Sequence, residues 1–381
     1  MSRDTHRQRR RFAVVVILLF GVLVLVQIPL LAFLRRASGL PWAAALGFYV
    51  AVNALLGVRM WYVPKPFAPP PAYDRYVMRA YFGYAVLGTW FLPGGAIAWA
   101  FGLPASLEWA WLGASAMLTC AAMGIPWRPV RVHRLDVPIA RLGAAFHGLV
   151  IAQLTDLHVG PMTGEGESRG WIERVNRMDA DYVFVTGDLV VGGADWVPAV
   201  ERLLASIRAR RGVFAVMGNH DYFGHAEEAI RAMYLRLGYV LLDNEHRVIE
   251  RDGSRLVVAG IDDTWRGRAD LVRALDGAPA GVPIVLLAHD PDVFPEAARL
   301  GVALQVSGHT HGGQIAVPFL GRRFSLLARF GQRFVQGLYT EGAATMYVGA
   351  GLGTTAAPVR IGMPPELPVL RLVAEDGVGP S

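Results

Sequence analysis

Seven polar side chains in the C-terminal two-thirds of the sequence have the types expected of a site for divalent cations. They are two carboxylates, one amide and four imidazoles: Asp156, His158, Asp188, Asn219, His289, His309 and His311. One divalent cation rarely needs more than about six ligands, so seven nitrogen and oxygen groups suit two ions that share a carboxylate. Two such ions can hold a phosphate and activate a water molecule. The single cysteine, Cys120, excludes a disulfide framework and a cysteine-based zinc site.

The spacing of two short motifs supports this interpretation. In Asp156-Leu157-His158 and His309-Thr310-His311 the polar residues alternate, so on an extended strand end both would point to one face. Glycine precedes several of the candidate ligands, and glycine permits sharp turns and a close approach of the backbone to an anion. Each motif alone has an ordinary reading as a turn or a packed histidine. The ordered set is much more specific than its members.

Short apolar segments precede these residues and predict the strands that position them. The predicted strands are Val150–Leu154, Tyr182–Val185, Val213–Val216, Leu256–Gly260, Ile284–Leu287, Ala303–Val306 and Thr345–Val348. Helical spacing of apolar residues predicts helices between them at 171–178, 197–210 and 225–237. Alternating strands and helices indicate the α/β class. Because ligands bind beyond the carboxyl ends of such strands, we expect the polar residues to gather at one edge.

The N-terminal third predicts an all-α transmembrane region of about four helices. Four uncharged runs are each long enough to cross a hydrocarbon core of about 30 Å: residues 12–34, 37–58, 80–107 and 109–127. Residues 1–125 hold 11 basic and 3 acidic residues, and the rest of the chain holds 26 basic and 28 acidic residues. The basic surplus therefore belongs to the apolar region. A cleaved signal peptide, or a twin-arginine signal at Arg9 and Arg10, is the alternative reading of the first run.

The predicted organisation is a transmembrane region at 1–125, a basic linker at 126–148, a catalytic domain at 149–375 and a tail at 376–381. Basic residues concentrate before the first run, between the second and third, and after the fourth, whereas the other side has only Arg35 and Arg36. Because basic loops remain in the cytoplasm, we expect a multi-pass protein of the cell (inner) membrane with a cytoplasmic catalytic domain. An odd number of spans would reverse that orientation.

The order of the motifs resembles the calcineurin-like metallophosphoesterase superfamily. The resemblance covers roughly residues 149–373 and rests on Asp156-x-His158, Gly187-Asp188, Gly218-Asn219-His220-Asp221, His289 and Gly308-His309-x-His311. The ending is similar to the membrane-associated YaeI/YkuE-like branch, through Gly351-Leu352-Gly353-Thr354, Pro358-x-Arg360 and Pro365-Glu366-Leu367. The resemblance implies a four-layer α/β/β/α metallophosphoesterase sandwich.

The resemblance also implies a role for each matching residue. The metal ligands would be Asp156, His158 and His311 for the first ion, Asn219, His289 and His309 for the second, and Asp188 as the bridge. His220 would act near the leaving-group oxygen, and Asp221 would orient it. The family often has a second acid after the bridging aspartate, but this chain has Asp188-Leu189-Val190-Val191. That departure affects the support around the site rather than the ligands themselves.

We therefore expect a membrane-anchored phosphoesterase with two divalent metal ions, for which manganese, iron and zinc all suit the ligand set. The predicted substrate is a phosphodiester or phosphomonoester. The nearby spans favour a lipid-linked substrate such as UDP-diacylglucosamine or a phospholipid. The segment 322–339, in which arginines lie among apolar residues, favours contact with such a substrate or with membrane lipids. An ordinary amphipathic loop is the alternative for that segment. Residues 149–381 hold 22 basic and 27 acidic residues, so no nucleic-acid partner is expected. A protein phosphatase and a non-enzymatic membrane receptor stay open, as does the oligomeric state.

Overall fold

The computed structural model describes residues 18, 20–62, 70–124, 129–316, 325, 332–355 and 357–375. The chain divides into an N-terminal unit, residues 1–127 with 356–359, and a C-terminal unit, residues 128–355 with 360–381. Several sequence predictions fall wholly or partly outside the described residues. They concern the twin-arginine alternative at Arg9 and Arg10, the start of the first apolar run at 12–17, the start of the linker at 126–128, the arginines Arg322, Arg323 and Arg329, and the tail at 376–381.

Four helices form most of the described N-terminal unit: α1 (Ile28–Ser38), α2 (Trp42–Tyr62), α3 (Arg79–Ala100) and α4 (Ala105–Met123). Two helical stretches, Phe20–Ser38 and Trp42–Trp61, are long and apolar enough to cross a membrane. Among the described residues, α3, which contains Pro93, and α4, which contains Glu108, are not candidate spans. The predicted four-helix transmembrane region is therefore not confirmed, and two candidate spans remain.

Polar side chains join these helices to one another. Gln27, directly before α1, is fully buried and accepts a hydrogen bond from Asn53 of α2 at 3.1 Å. Tyr81 of α3 donates its hydroxyl to Asn53 Oδ1 at 3.2 Å. Arg36 of α1 pairs with the buried Glu108 of α4 at 2.6 Å. Such contacts hold helices together in an apolar environment, where hydrophobic packing gives little driving force.

The C-terminal unit contains two six-stranded mixed sheets. Within the described residues the strands are β1 (Arg131–Ile139), β2 (Val150–Leu154), β3 (Tyr182–Val185), β4 (Gly212–Ala215), β5 (Val240–Leu241), β6 (Glu245–Arg251), β7 (Ser254–Gly260), β8 (Ile284–Leu287), β9 (Leu304–Ser307), β10 (Gly337–Glu341), β11 (Ala344–Val348) and β12 (Glu366–Ala374). The first sheet has the order β1-β12-β2-β3-β4-β5, and the second has the order β10-β11-β9-β8-β7-β6. In the first sheet β2 to β5 run parallel, and in the second β7, β8, β9 and β11 run parallel.

The two sheets pack face to face across one hydrophobic core. Buried side chains of the first sheet, among them Ile151 and Phe184, lie in one cluster with Val258 and Leu287 of the second. Parallel strands that are covered on both faces consist of nearly continuous apolar residues. This is why the sequence predicts these strands well. The α/β class is confirmed, with two mixed sheets.

Helices connect the parallel strands, as parallel pairing requires. In the first sheet these are α5 (Glu165–Asn176), α6 (Val197–Leu204) and α7 (Glu227–Leu237); in the second they are α8 (Leu271–Leu275) and α9 (Phe294–Arg299). Ala274 of α8 and Ala297 of α9 pack against Ala259 of β7 and Leu286 of β8. These helices cover the face of the second sheet that points away from the first.

Strand β1 lies inside 126–148, the segment that the sequence analysis assigns to a linker. All nine residues pair in parallel with β12, starting from Arg131 opposite Glu366. Only Val137 and Ile139 of the strand are buried. Because β1 is an edge strand with mostly exposed side chains, its apolar pattern is weak. The sheet therefore begins earlier than the predicted linker allows.

Candidate metal centre

All seven candidate ligands follow the carboxyl ends of parallel strands. The residues after each strand are Asp156 and His158 after β2, Asp188 after β3, Asn219 after β4, His289 after β8, and His309 and His311 after β9. The sequence predicts one shared edge. The structure instead divides these strands between two sheets, β2 to β4 in the first and β8 and β9 in the second. The site forms where the strand ends of both sheets meet.

The backbone turns sharply at most of these positions. Five candidate ligands have positive φ angles, from 45° to 71°: Asp156, His158, Asp188, His309 and His311. Residues other than glycine rarely adopt this conformation, and each case costs on the order of 1–3 kcal/mol. The predicted extended geometry of the two alternating motifs is therefore wrong. Such strain concentrates where the position of a side chain matters for function.

Four of the residues form a first buried group: Asp156, His158, Asp188 and His311, with ligand atoms within 4.8 Å of one another. His158 Nε2 lies 2.9 Å from His311 Nε2 and 3.5 Å from Asp188 Oδ2. His311 Nε2 lies 3.3 Å from Asp156 Oδ1. Two imidazole nitrogens at this distance share at most one proton, so lone pairs converge there. A cation stabilises such a convergence of nitrogen and carboxylate donors.

A second group consists of Asp188, His289 and His309. His289 Nε2 lies 3.2 Å from Asp188 Oδ2 and 3.2 Å from His309 Nδ1. The Nδ1–H of His289 donates to the Thr186 carbonyl at 2.7 Å, so its Nε2 is the nitrogen that faces the carboxylate. His309 and His311 therefore belong to different groups. The spacing of their motif predicts a common face, whereas the family resemblance assigns them to different ions.

Asp188 belongs to both groups. Its Oδ2 faces His158 on one side and His289 on the other, and its Oδ1 accepts the backbone N–H of His220 at 2.8 Å. Burial alone would raise the pKa of Asp188, but the charges of His289 and His220 outweigh burial and hold that pKa well below its ordinary value. The carboxylate is therefore ionised at neutral pH and lies between two clusters of donors.

Burial keeps most of the surrounding groups uncharged. It lowers the pKa of His158 and of His311 well below the ordinary value, and it raises the pKa of Asp156 to about 7. Burial would also lower the pKa of His289, but the Asp188 carboxylate outweighs it and raises that pKa. Neutral imidazole is the form in which histidine binds metal ions.

One buried polar atom of the site shows that the residues present fit divalent cations. Asn219 Oδ1 has no hydrogen-bond partner within the part of the chain that the structure describes. A buried polar atom without a partner costs about 1–3 kcal/mol. Amide oxygen is an ordinary ligand of divalent cations. The donor set and this unsatisfied atom therefore agree with a metal site.

His220 lies at the mouth of the site. Its ring centroid is 4.6 Å from that of His158, and its side chain is half-buried. The Nδ1–H of His220 donates to the Val191 carbonyl at 2.8 Å, so Nε2 is the atom that can exchange a proton. The sequence gives no sign of this contact, because any residue type can supply a backbone carbonyl. The group found to orient His220 is therefore Val191.

Asp221 has a different task from the predicted one. Its carboxylate accepts the backbone N–H groups of Gly218 at 2.9 Å, Asp188 at 2.9 Å and Leu189 at 2.8 Å. These bonds hold the turns after β3 and β4 together. The prediction that Asp221 orients the His220 ring is replaced by this role, in which it fixes the backbone of Asp188.

Arg360 is fully buried and supports the site through a glycine loop. Its Nη2 donates to the carbonyls of Ala350 at 2.8 Å and Gly351 at 3.1 Å, and its Nε donates to Gly353 at 3.1 Å. The Gly353 N–H donates to the Asp156 carbonyl at 2.7 Å, and a Cβ on Gly351 would lie 2.6 Å from Asp156 Cβ. Arg360 therefore holds the loop against Asp156. Arg360 belongs to the motif Pro358-x-Arg360, but the sequence alone indicates no role for this side chain.

Replacement of Arg360 should weaken metal binding without removing a ligand. Its Nη2 also lies 3.5 Å from His311 Nδ1, so Arg360→Met leaves both the loop and this imidazole unsupported. We expect manganese affinity to fall by about 10- to 100-fold and the thermal unfolding temperature to drop. Arg371→Met is the matched control, because Arg371 is exposed and pairs with Asp136 on the surface. Calorimetric titration measures both variants; an unchanged affinity in folded Arg360→Met would contradict this role.

Comparison with known proteins agrees with this geometry. Residues 149–313, which include all seven candidate ligands, match the family model of calcineurin-like phosphoesterases. The chain is 30% identical over 230 residues to the uncharacterized metallophosphoesterase YkuE of Bacillus subtilis (strain 168), covering 60% of this chain and 80% of YkuE. It is 31% identical over 247 residues to the transmembrane protein with metallophosphoesterase domain of Danio rerio, covering 61% of this chain and 55% of that protein.

The Bos taurus protein of the same name is 31% identical over 264 residues, which cover 65% of this chain and 58% of that protein. The chain thus spans most of the bacterial relative and little more than half of the animal relatives. The resemblance inferred from the motifs is confirmed, and the relatives' names together with the two apolar helices suggest membrane association. The chain belongs to the calcineurin-like metallophosphoesterase family, and it is a metal-dependent phosphoesterase.

Proposed function

We propose that this protein is a membrane-anchored hydrolase of phosphoesters that binds two divalent cations. The proposed ligands are Asp156, His158 and His311 for one ion, Asn219, His289 and His309 for the other, and Asp188 for both. The position of Asp188 carries the proposal, because Oδ2 lies 3.5 Å from His158 Nε2 and 3.2 Å from His289 Nε2. Two bound ions supply charge that holds phosphate oxygens and activates water. Manganese, iron and zinc suit these ligands.

We assign the departing group to the His220 side of the site. Because Nδ1 is held by the Val191 carbonyl, the protonated ring carries its transferable proton on Nε2, which lies 3.4 Å from Thr355 Oγ1. As a water oxygen bonds to phosphorus and loses a proton to solvent, the P–O bond to the leaving group breaks. His220 gives its Nε2 proton to the departing oxygen, which leaves as an alcohol, or as a phosphate where a pyrophosphate is cleaved. Imidazole suits this step because it exchanges protons near neutral pH.

The proposed substrate is a phosphodiester or phosphomonoester that is linked to a lipid, such as UDP-diacylglucosamine or a phospholipid. Two candidate spans support this proposal, because they would hold the enzyme at the surface where lipids are found. The names of the animal relatives give further support. A multi-pass protein of the cell membrane with the C-terminal unit in the cytoplasm is the arrangement that we propose.

Asp188→Ala tests the shared carboxylate. Wild-type protein is expected to bind two manganese ions per chain and to hydrolyse bis(p-nitrophenyl) phosphate. Removal of a residue that only supports a metal ligand costs up to about a hundredfold in affinity or activity. Because Asp188 is itself a proposed ligand, its loss should lower kcat/KM by at least about that factor. Asp252→Ala, at an exposed aspartate, is the matched control and should have no effect. Elemental analysis and kinetics check both points; one ion per chain, or equal turnover by Asp188→Ala, would refute the shared ligand.

Metal affinity should depend on pH because of Asp156. Burial raises its pKa to about 7, so this carboxyl group holds a proton below that pH and a cation must displace it. We expect manganese affinity to decrease as the pH falls through 7, and protonation of this carboxyl group contributes up to about tenfold per pH unit to that decrease. Titration calorimetry at pH 6 and pH 8, in buffers of different ionisation enthalpy, also counts the released proton. The same affinity at both pH values is the contrary outcome.

The proposed orientation can be tested with a single reactive cysteine. Cys120 is the only cysteine of the chain, and Leu235 on α7 is 81% exposed. In a Cys120→Ser, Leu235→Cys variant, a membrane-impermeant maleimide should label the protein only after the cells are lysed. Labelling of unlysed spheroplasts, whose cell membrane is intact, would place the C-terminal unit on the other side of that membrane.

A further inference from the structure

The entrance of the proposed metal centre is marked by two histidines. Six of the seven candidate ligands are buried, and only His309 is half-exposed. His220, which follows the buried Asn219, is likewise half-exposed. Within the described ranges, His220 and His309 are therefore the residues of the site that a phosphoester in solvent can reach.

An aromatic ring lies against each of these two histidines. The Phe223 ring is 4.8 Å from the His220 ring, and the Trp265 ring is 5.3 Å from the His309 ring. Phe223 is 42% exposed, so its burial adds little to the stability of the fold. The guanidinium of Arg266 lies 5.6 Å from the Phe223 ring. Phe223, Trp265 and Arg266 together are here called the aromatic rim.

Backbone hydrogen bonds fix the rim in place. The Phe223 carbonyl accepts the Gly193 N–H at 2.8 Å, and Arg266 Nη2 donates to the Tyr222 carbonyl at 3.0 Å. The Arg266 N–H in turn donates to Asp263 Oδ2 at 2.8 Å. The exposed Phe223 ring and the half-buried Trp265 ring thus lie on turns that hydrogen bonds hold in place. A surface arranged in advance binds a ligand at a smaller cost in entropy than a mobile one.

We propose that the aromatic rim binds one organic substituent of the phosphoester, the substituent other than the lipid, and that this substituent carries a planar aromatic ring close to the phosphate. This inference rests on the proposed function, because the phosphate must be held at the metal centre. Aromatic rings gain energy from edge and face contacts with Phe and Trp, and a guanidinium is attracted to the face of a ring. A saturated chain gains nothing from the guanidinium. The rim therefore favours an aryl or nucleobase-like substituent over an alkyl one.

Non-hydrolysable phosphonates test this proposal by binding alone. Manganese-loaded full-length protein in detergent is titrated calorimetrically with phenylphosphonate, cyclohexylphosphonate, methylphosphonate and inorganic phosphate. We expect phenylphosphonate to bind about tenfold more tightly than methylphosphonate, from contacts with two aromatic side chains. Cyclohexylphosphonate, which has the same size but no aromatic ring, should bind more weakly than phenylphosphonate.

Phe223→Leu and Trp265→Leu keep an apolar side chain but remove a ring. Each should reduce the preference for phenylphosphonate over methylphosphonate to about threefold, as expected when one of two ring contacts is lost, and should leave phosphate affinity unchanged. Leu235→Ala, at a distant exposed position, serves as the control. The rim proposal is overturned if phenylphosphonate and cyclohexylphosphonate bind equally, or if both variants keep the wild-type preference for phenylphosphonate over methylphosphonate. In either case, binding of inorganic phosphate leaves the proposed function standing. If neither phosphate nor any phosphonate binds, both proposals fail.

Discussion

The site depends on one buried negative charge. An ionised carboxylate in a protein interior is stable only when it is paired and hydrogen-bonded. Asp188 meets that requirement through His158 and His289 on either side and through the backbone N–H of His220. These partners come from three different strand ends, two in the first sheet and one in the second. The contacts that create the site therefore also join the ends of the two sheets.

The surroundings of Asp188 consist largely of backbone groups. Asp221 binds the N–H groups of the turns after β3 and β4, the Val191 carbonyl holds His220, and the Thr186 carbonyl holds His289. These hydrogen bonds set the direction of each ligand atom. They also stabilise the nearby residues that have strained backbone angles.

The strand ends hold the groups common to the family, whereas the loops around them hold groups that can differ between members. A fold of this kind supports many functions, and specificity resides in what surrounds the shared centre. Phe223, Trp265 and Arg266 lie in loops after β4 and β7 that contribute no proposed metal ligand beyond Asn219. Their position beside the half-exposed histidines is where the organic part of a phosphoester would be distinguished.

The sequence by itself determined the chemistry and the central strands. Buried parallel strands have a continuous apolar pattern, so β2, β3 and β8 were predicted with their observed bounds, and the residue types after them indicated a cation site and the family. Local pattern cannot determine which distant groups become neighbours. Only the tertiary structure divided the candidate ligands between two sheets, gave Asp221 its backbone partners and showed that β1 is an edge strand. Those outcomes depend on contacts between segments far apart in the chain.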